Sequence, residues 1–143
     1  MEVMPLDDTT SAGSVIYIDR SDVHADRWDE LKAAIPALTA FVEREQPQMT
    51  TYAFYLDECA DHMTVISVHP DSSSLERHME IGRPEFQKLA PFLSLREIEV
   101  FGPLSQRAVD LVSRKAEALG DSGAVLVHDE FTGFTRIQSG SNP

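Results

Sequence analysis

The stretch SVIYIDR, Ser14 to Arg20, is apolar at both parities, with Val15 and Tyr17 alternating with Ile16 and Ile18. A β-strand sends successive side chains to opposite faces of its sheet, so a strand of this kind needs cover on both. In a chain of 143 residues, the length of one domain, helices can cover one face. The simplest cover for the other is a second copy of the chain.

The remaining pattern supplies the helices. Ser21 is placed to cap a helix on which Trp28, Leu31, Ile35, Leu38 and Val42 recur at intervals of three and four, and Pro36 is predicted to kink it without ending it. The β-rich runs MTTYAFYL (Met49 to Leu56) and HMTVISVH (His62 to His69), joined by the acidic DECAD turn, read as a hairpin. Ser73 and Glu76 form an S-x-x-E capping box before a second helix, with Leu75, His78 and Met79 on one face. That helix is predicted to break at Gly82-Arg83-Pro84 and restart with Phe86, Leu89 and Leu93. SLREIEVFG, Ser94 to Gly102, is a fourth strand.

This βαββαβ order is the ferredoxin-like α+β plan, an antiparallel sheet under two helices. Since its helices cover one face only, the two-sided first strand predicts a two-fold homodimer.

Beyond Pro103 a third helix is expected, with Leu104, Ala108, Leu111, Val112 and Leu119 inward and Gly120 as its C-terminal glycine. AVLVHDEFTGFTRI then reads as an added strand or strand pair. Residues 103–138 are too few for a second domain and are read as a helix-strand extension of the 14–102 domain. Met1 to Gly13 and residues 139–143 read as flexible termini.

Twelve Lys and Arg against 24 Asp and Glu give a net charge of -12, a field that repels phosphate backbones and anionic lipid. Neither nucleic acid nor a membrane surface is an expected partner. The single cysteine, Cys59, precludes an intrachain disulfide, and no apolar run is long enough to span a bilayer, so a soluble cytoplasmic protein is expected.

Few side chains carry a chemical signal. His78, on the inner side of its helix, is suited to general-base work near neutral pH and equally to a buried structural role. Asp57, Glu58, Cys59, Asp61 and His62 crowd the hairpin turn, where solvation accounts for them better than a metal does, and no metal is expected. Cys59 lacks the desolvated setting of a nucleophile. Phosphate-binding glycine loops, G-x-S-x-G and HExxH are absent from the sequence.

The stretch VISVHPDSSSLERHMEIGRPEFQKL after the YLDECADH hairpin resembles the antibiotic biosynthesis monooxygenase family of dimeric α+β barrels. There a third strand ends in an aromatic or polar residue, an acidic turn follows, and a helix carries an A/L-x-x-H step, a proline and a phenylalanine. The counterparts here are His69, Asp71, Leu75 with His78, Pro84 and Phe86, and the resemblance spans about Ser14 to Gly102. Haem-degrading members have an Asn-Arg pair on the first strand, a Trp ending the third and an axial His after the helical Phe. At those places this chain has Asp19-Arg20, His69 and Ala90, so the proximal haem ligand is missing.

The resemblance implies a monooxygenase that needs no cofactor, or a related acid-base enzyme, acting on a small aromatic or polyketide-like metabolite. In such an enzyme His78 is the expected base, Arg96 or Tyr52 steadies the substrate anion, and His69 orients the ring. Asp19 and His69 are expected at opposite ends of antiparallel strands and are not paired. The alternative is a non-catalytic ligand-binding or stress-related barrel. The two differ in whether a cavity opens under the helices beside His78, or is filled by Phe86, Met79 and Trp28.

Overall fold

A computed structural model describes residues 13–120 and 124–136. The readings made for residues 1–12 and 137–143 lie outside these.

The first strand, β1 (Val15–Val23), sits near the middle of one five-stranded sheet of order β2-β3-β1-β4-β5. Its partners are β2 (Thr51–Asp57), β3 (His62–His69), β4 (Leu93–Phe101) and β5 (Ala124–His128). All pairs are antiparallel except β4 with β5, which is parallel. Three helices complete the fold: α1 (Trp28–Glu45), α2 (Ser72–Gln87) and α3 (Gln106–Leu119). The first four strands and two helices are the expected ferredoxin-like plan. β5 extends the same sheet, so the C-terminal extension shares its core.

Alternation along β1 buries Val15, Tyr17, Asp19, Ser21 and Val23 on the helix-covered face. Met63, Val65, Ser67 and His69 do the same on β3. The register sets side chains in rows across the sheet: Tyr52, Ser67 and Tyr17 in one, then Phe54, Val65, Asp19 and Ile98, then Leu56, Met63, Ser21 and Leu95. Among the described residues no helix lies on the opposite face. There Ile16, Tyr55 and Leu126 are 40%, 56% and 44% exposed, beside half-buried Ile18, Ile66 and Val68.

Several local expectations are corrected. Ser21 caps nothing, because β1 runs on to Val23 and α1 starts at Trp28 after a short 3-10 turn. α1 then continues through Pro36 with Trp28, Leu31, Leu38 and Val42 buried. Asp71, not Ser73, caps α2 by accepting from the Ser74 backbone N–H at 2.9 Å. Glu76 instead accepts from Ser105 Oγ at the start of α3. α2 runs unbroken through Gly82 and Pro84. Proline in a helix interior costs about 3 kcal/mol, whereas burying Phe86 and Leu89 beyond it returns about 1.5–3 kcal/mol each, so packing wins.

Both helical glycines are matters of space. A Cβ on Gly82 would lie 2.3 Å from Phe86 Cζ, so its absence lets that ring fold back onto the helix. Gly120 closes α3 as expected, with an extended backbone; a Cβ there would meet the Leu95 carbonyl oxygen at 2.2 Å. The close approach of the α3 terminus to β4 requires the glycine.

Candidate functional site

Between the sheet and the helices is an apolar cleft with walls that include Leu38, Met63, Phe86, Leu89, Leu95 and Leu119. Four polar side chains enter it: Asp19 and Ser21 from β1, Tyr52 from β2 and Lys115 from α3. The free cavity is about 20 Å3, within about 320 Å3 of non-atom space that includes the mouth.

Lys115 is the one basic residue on the inward stripe of α3, four residues from both Leu111 and Leu119. That spacing returns it to the apolar face. Its Nζ reaches Asp19 Oδ2 at 3.1 Å, and the two side chains are only 11% and 3% exposed. Tyr17 donates its hydroxyl to the same oxygen at 2.6 Å. The ammonium also lies 4.1 Å from the Phe86 ring centroid and 5.0 Å from that of Tyr17, cation–π contacts that help offset its lost hydration. Burial, and then the Asp19 charge, push the Tyr17 and Tyr52 hydroxyls well above the ordinary tyrosine range, so both remain protonated donors. The Tyr52 hydroxyl has no hydrogen-bond partner among the described residues, and neither does the buried Ser21 Oγ.

The histidines lie behind this cleft and do not line it. His69 is bonded at both ring nitrogens, Nδ1 to Ser74 Oγ at 2.7 Å and Nε2 to Ser67 Oγ at 3.0 Å. His78 Nδ1 is 3.2 Å from Gln46 Oε1, and its ring is enclosed by those of Tyr52, His69 and Phe86 at centroid distances of 5.1–5.5 Å. Burial lowers the His69 pKa to about 4. Burial first, then the charges of Lys115 and His69, lower that of His78 well below its ordinary value. Arg96 is remote from all of them. It occupies the β4 irregularity between Leu95 and Glu97, half exposed, 3.6 Å from Asp22.

Of the residues expected at a site, the structure therefore brings Tyr52, His69 and His78 together and leaves Arg96 out, and only Tyr52 reaches the cleft. Asp19 and His69 stand apart as expected, Asp19 opposite Val65 and His69 opposite Val15. Asp19 belongs to the cleft through Lys115, a residue of the C-terminal extension that sequence reasoning did not single out. Among the described residues no group of three or more His, Cys, Asp or Glu is placed to hold a metal. At the hairpin turn Asp61 instead accepts from Trp28 Nε1 at 2.7 Å, tying the start of α1 to the sheet.

No protein-family model matches the chain, and no curated protein matches its sequence. Solved structures match its fold. MupZ from Pseudomonas fluorescens is 13% identical with a TM-score of 0.68, over 87% of this chain and 95% of that one. SnoaB, a cofactor-independent oxygenase from Streptomyces nogalater, is 18% identical with a TM-score of 0.53, over 66% of this chain and 97% of that one. A candidate antibiotic biosynthesis monooxygenase from Caulobacter crescentus is 14% identical with a TM-score of 0.57, over 71% of this chain and all of that one. The chain has the antibiotic biosynthesis monooxygenase fold. The MupZ likeness extends past Pro103 into the segment that carries α3 and β5, since 87% of 143 residues is more than the 102 that precede Pro103. No helix among the described residues is long and apolar enough to cross a membrane.

Proposed function

We propose that this chain is a cofactor-independent oxygenase, or a related acid-base enzyme, for a small aromatic or polyketide-like metabolite, with Asp19 as base. The observation that carries this reading is the Tyr17–Asp19–Lys115 cluster in an otherwise apolar cleft. Ionised side chains are seldom buried without a task, and an ion pair this enclosed in an apolar cleft is a candidate for acid-base chemistry. The base role moves from His78 to Asp19 because the imidazole is walled in and its Nδ1 is committed to Gln46. His69, bonded at both nitrogens, becomes a buried support, and Arg96 has no role in the cleft.

In an anthrone-type reaction Asp19 takes the proton of an acidic C–H. The electron pair delocalises onto the ring oxygen, which the Lys115 ammonium and the Tyr52 hydroxyl stabilise. The resulting carbanion is the reductant for O2: one oxygen atom ends as the new carbonyl and the other leaves as water, so the substrate supplies all four electrons. Dithranol and unsubstituted anthrone are suitable probes, with O2 uptake as the readout. Asp19→Asn, checked for folding by thermal melting, is expected to lower the rate by about 10²-fold or more. Failure of the native chain to accelerate either oxidation, or an Asn variant as fast as the native chain, rejects the assignment.

The small free cavity favours a second reading, a barrel that holds a small ligand without turning it over. It predicts saturable binding of the probes with no O2 uptake.

The site is proposed to work within a two-fold dimer closed by the helix-free face. On that face Arg20 bridges Glu97 and Glu99 at 2.7 Å, and His128 meets Glu99 at 3.1 Å, so these charges are paired beside Ile16, Ile18, Ile66 and Val68, which are left to be covered. Ile18→Asp, in the middle of that face, is expected to convert a two-chain species into single chains in sedimentation velocity. A native chain that sediments as a monomer at micromolar concentration would exclude the dimer.

A further inference from the structure

Ser21 is the unexplained polar residue of the cleft. Its Oγ is buried and unpartnered, flanked across the sheet by Met63 and Leu95. Buried hydroxyls in folded proteins almost always have a partner. On β1 the next residue of the same face is Asp19, about 7 Å away along the strand. An oxygen atom hydrogen-bonded to both at about 2.8 Å spans at most about 5.6 Å, so the two side chains must lean toward each other over it. The cavity both residues line, about 20 Å3, is the size of one such atom with its hydrogens. The rest of its wall is mostly apolar, so the place is specific for one polar group on a hydrophobic body.

We infer that Ser21 is the specificity-determining residue of the cleft: its hydroxyl, with Asp19, holds the hydroxyl oxygen of an aromatic ligand at a position that one bound water fills in the free protein. This rests on the reading of the cleft as a ligand site and adds to it the group by which the ligand is selected. It also gives the strand a reason for a serine where Val15, Tyr17 and Val23 otherwise build core. A ligand hydroxyl reproduces the water's bonds, whereas a methyl in its place leaves Ser21 Oγ unpaired.

Phenol and toluene, the same ring with hydroxyl or methyl, separate the two cases by calorimetric titration of the full-length chain. The native chain is expected to prefer phenol, and Ser21→Ala to weaken phenol about 10-fold while changing toluene by less than about twofold. A high-resolution crystal structure of the free protein should show one water within hydrogen-bonding distance of both Ser21 Oγ and the Asp19 carboxylate. The inference is overturned by equal affinity for the two rings, by unaltered phenol affinity in Ser21→Ala, or by a Ser21 hydroxyl bonded to a protein group in the crystal. Phenol selectivity lost in Ser21→Ala without any O2 uptake would sink only the catalytic reading. Turnover that depends on Asp19 while Ser21→Ala binds phenol normally would sink only this one.

Discussion

Replacing Lys115 with methionine is expected to cost about 3–5 kcal/mol of folding free energy, even though methionine suits an apolar cleft. The loss comes from Asp19. Its carboxylate is 3% exposed, and without the ammonium it keeps only the Tyr17 hydroxyl, so it must remain ionised in a poorly solvating site or take up a proton. Adding Asp19→Asn should return most of the loss, because a neutral amide still accepts from Tyr17 and leaves no charge to compensate. Urea unfolding of the two single variants and the double variant, with m-values held constant, gives the coupling directly. A coupling of about 2 kcal/mol or more is expected for a desolvated pair; additive losses would mean that Lys115 and Asp19 are solvated independently in solution. The same cycle bears on function, since a coupled pair is what holds an anionic base inside an apolar cleft.

The fold was more legible than this pair, for physical reasons. Strand and helix periods are repeated over many residues, so Trp28, Leu31, Leu38 and Val42 announce a buried stripe without help from tertiary structure. Where an isolated local rule competed with packing, packing prevailed. Gly82 and Pro84 read as a break, yet α2 continues because Gly82 makes room for the Phe86 ring and that ring is buried. Ser21 read as a helix cap because serine before an apolar-periodic run usually is one; its strand position follows from pairings with Met63 and Leu95 that the sequence does not display.

The site was half legible. His78 stood out as a lone histidine among apolar neighbours, but the same pattern describes an imidazole sealed behind Phe86 and Tyr52. The more telling signal was a charge on an apolar periodicity: Lys115 on the stripe with Leu111 and Leu119, and Asp19 on the strand face with Val15 and Tyr17. Each is unremarkable alone, since long cationic side chains often snorkel to solvent. Their meaning depends on α3 packing against β4 so that the Lys115 side chain reaches Asp19 on β1, a contact between residues 96 positions apart.

The two buried histidines set the acid limit of the fold. His69 titrates at about 4 in the native protein against an ordinary value of 6.5, and His78 is displaced in the same direction. Both imidazoles are therefore neutral in the native state at pH values where an unfolded chain protonates them. The unfolded state binds the extra protons, so stability is complete above about pH 6.5 and is lost progressively toward pH 4. For His69 alone the loss is about 2 kcal/mol by pH 5 and about 3 kcal/mol at the end of that window, and His78 adds to it. Urea unfolding at pH 7.5 and 5.0 should show this difference in the native chain. A variant with His69→Gln and His78→Gln, which keeps hydrogen-bonding capacity and removes both titrations, should be less stable at pH 7.5 but flatter between the two conditions. Equal pH dependence in native and variant chains would mean that these rings are hydrated in solution. If the steep dependence is observed, activity is expected to fall below pH 6 for a structural reason: protonation dismantles the His69–His78 support behind Tyr52, on the sheet that carries Asp19, so a titration seen in kcat there would not identify histidine as the base.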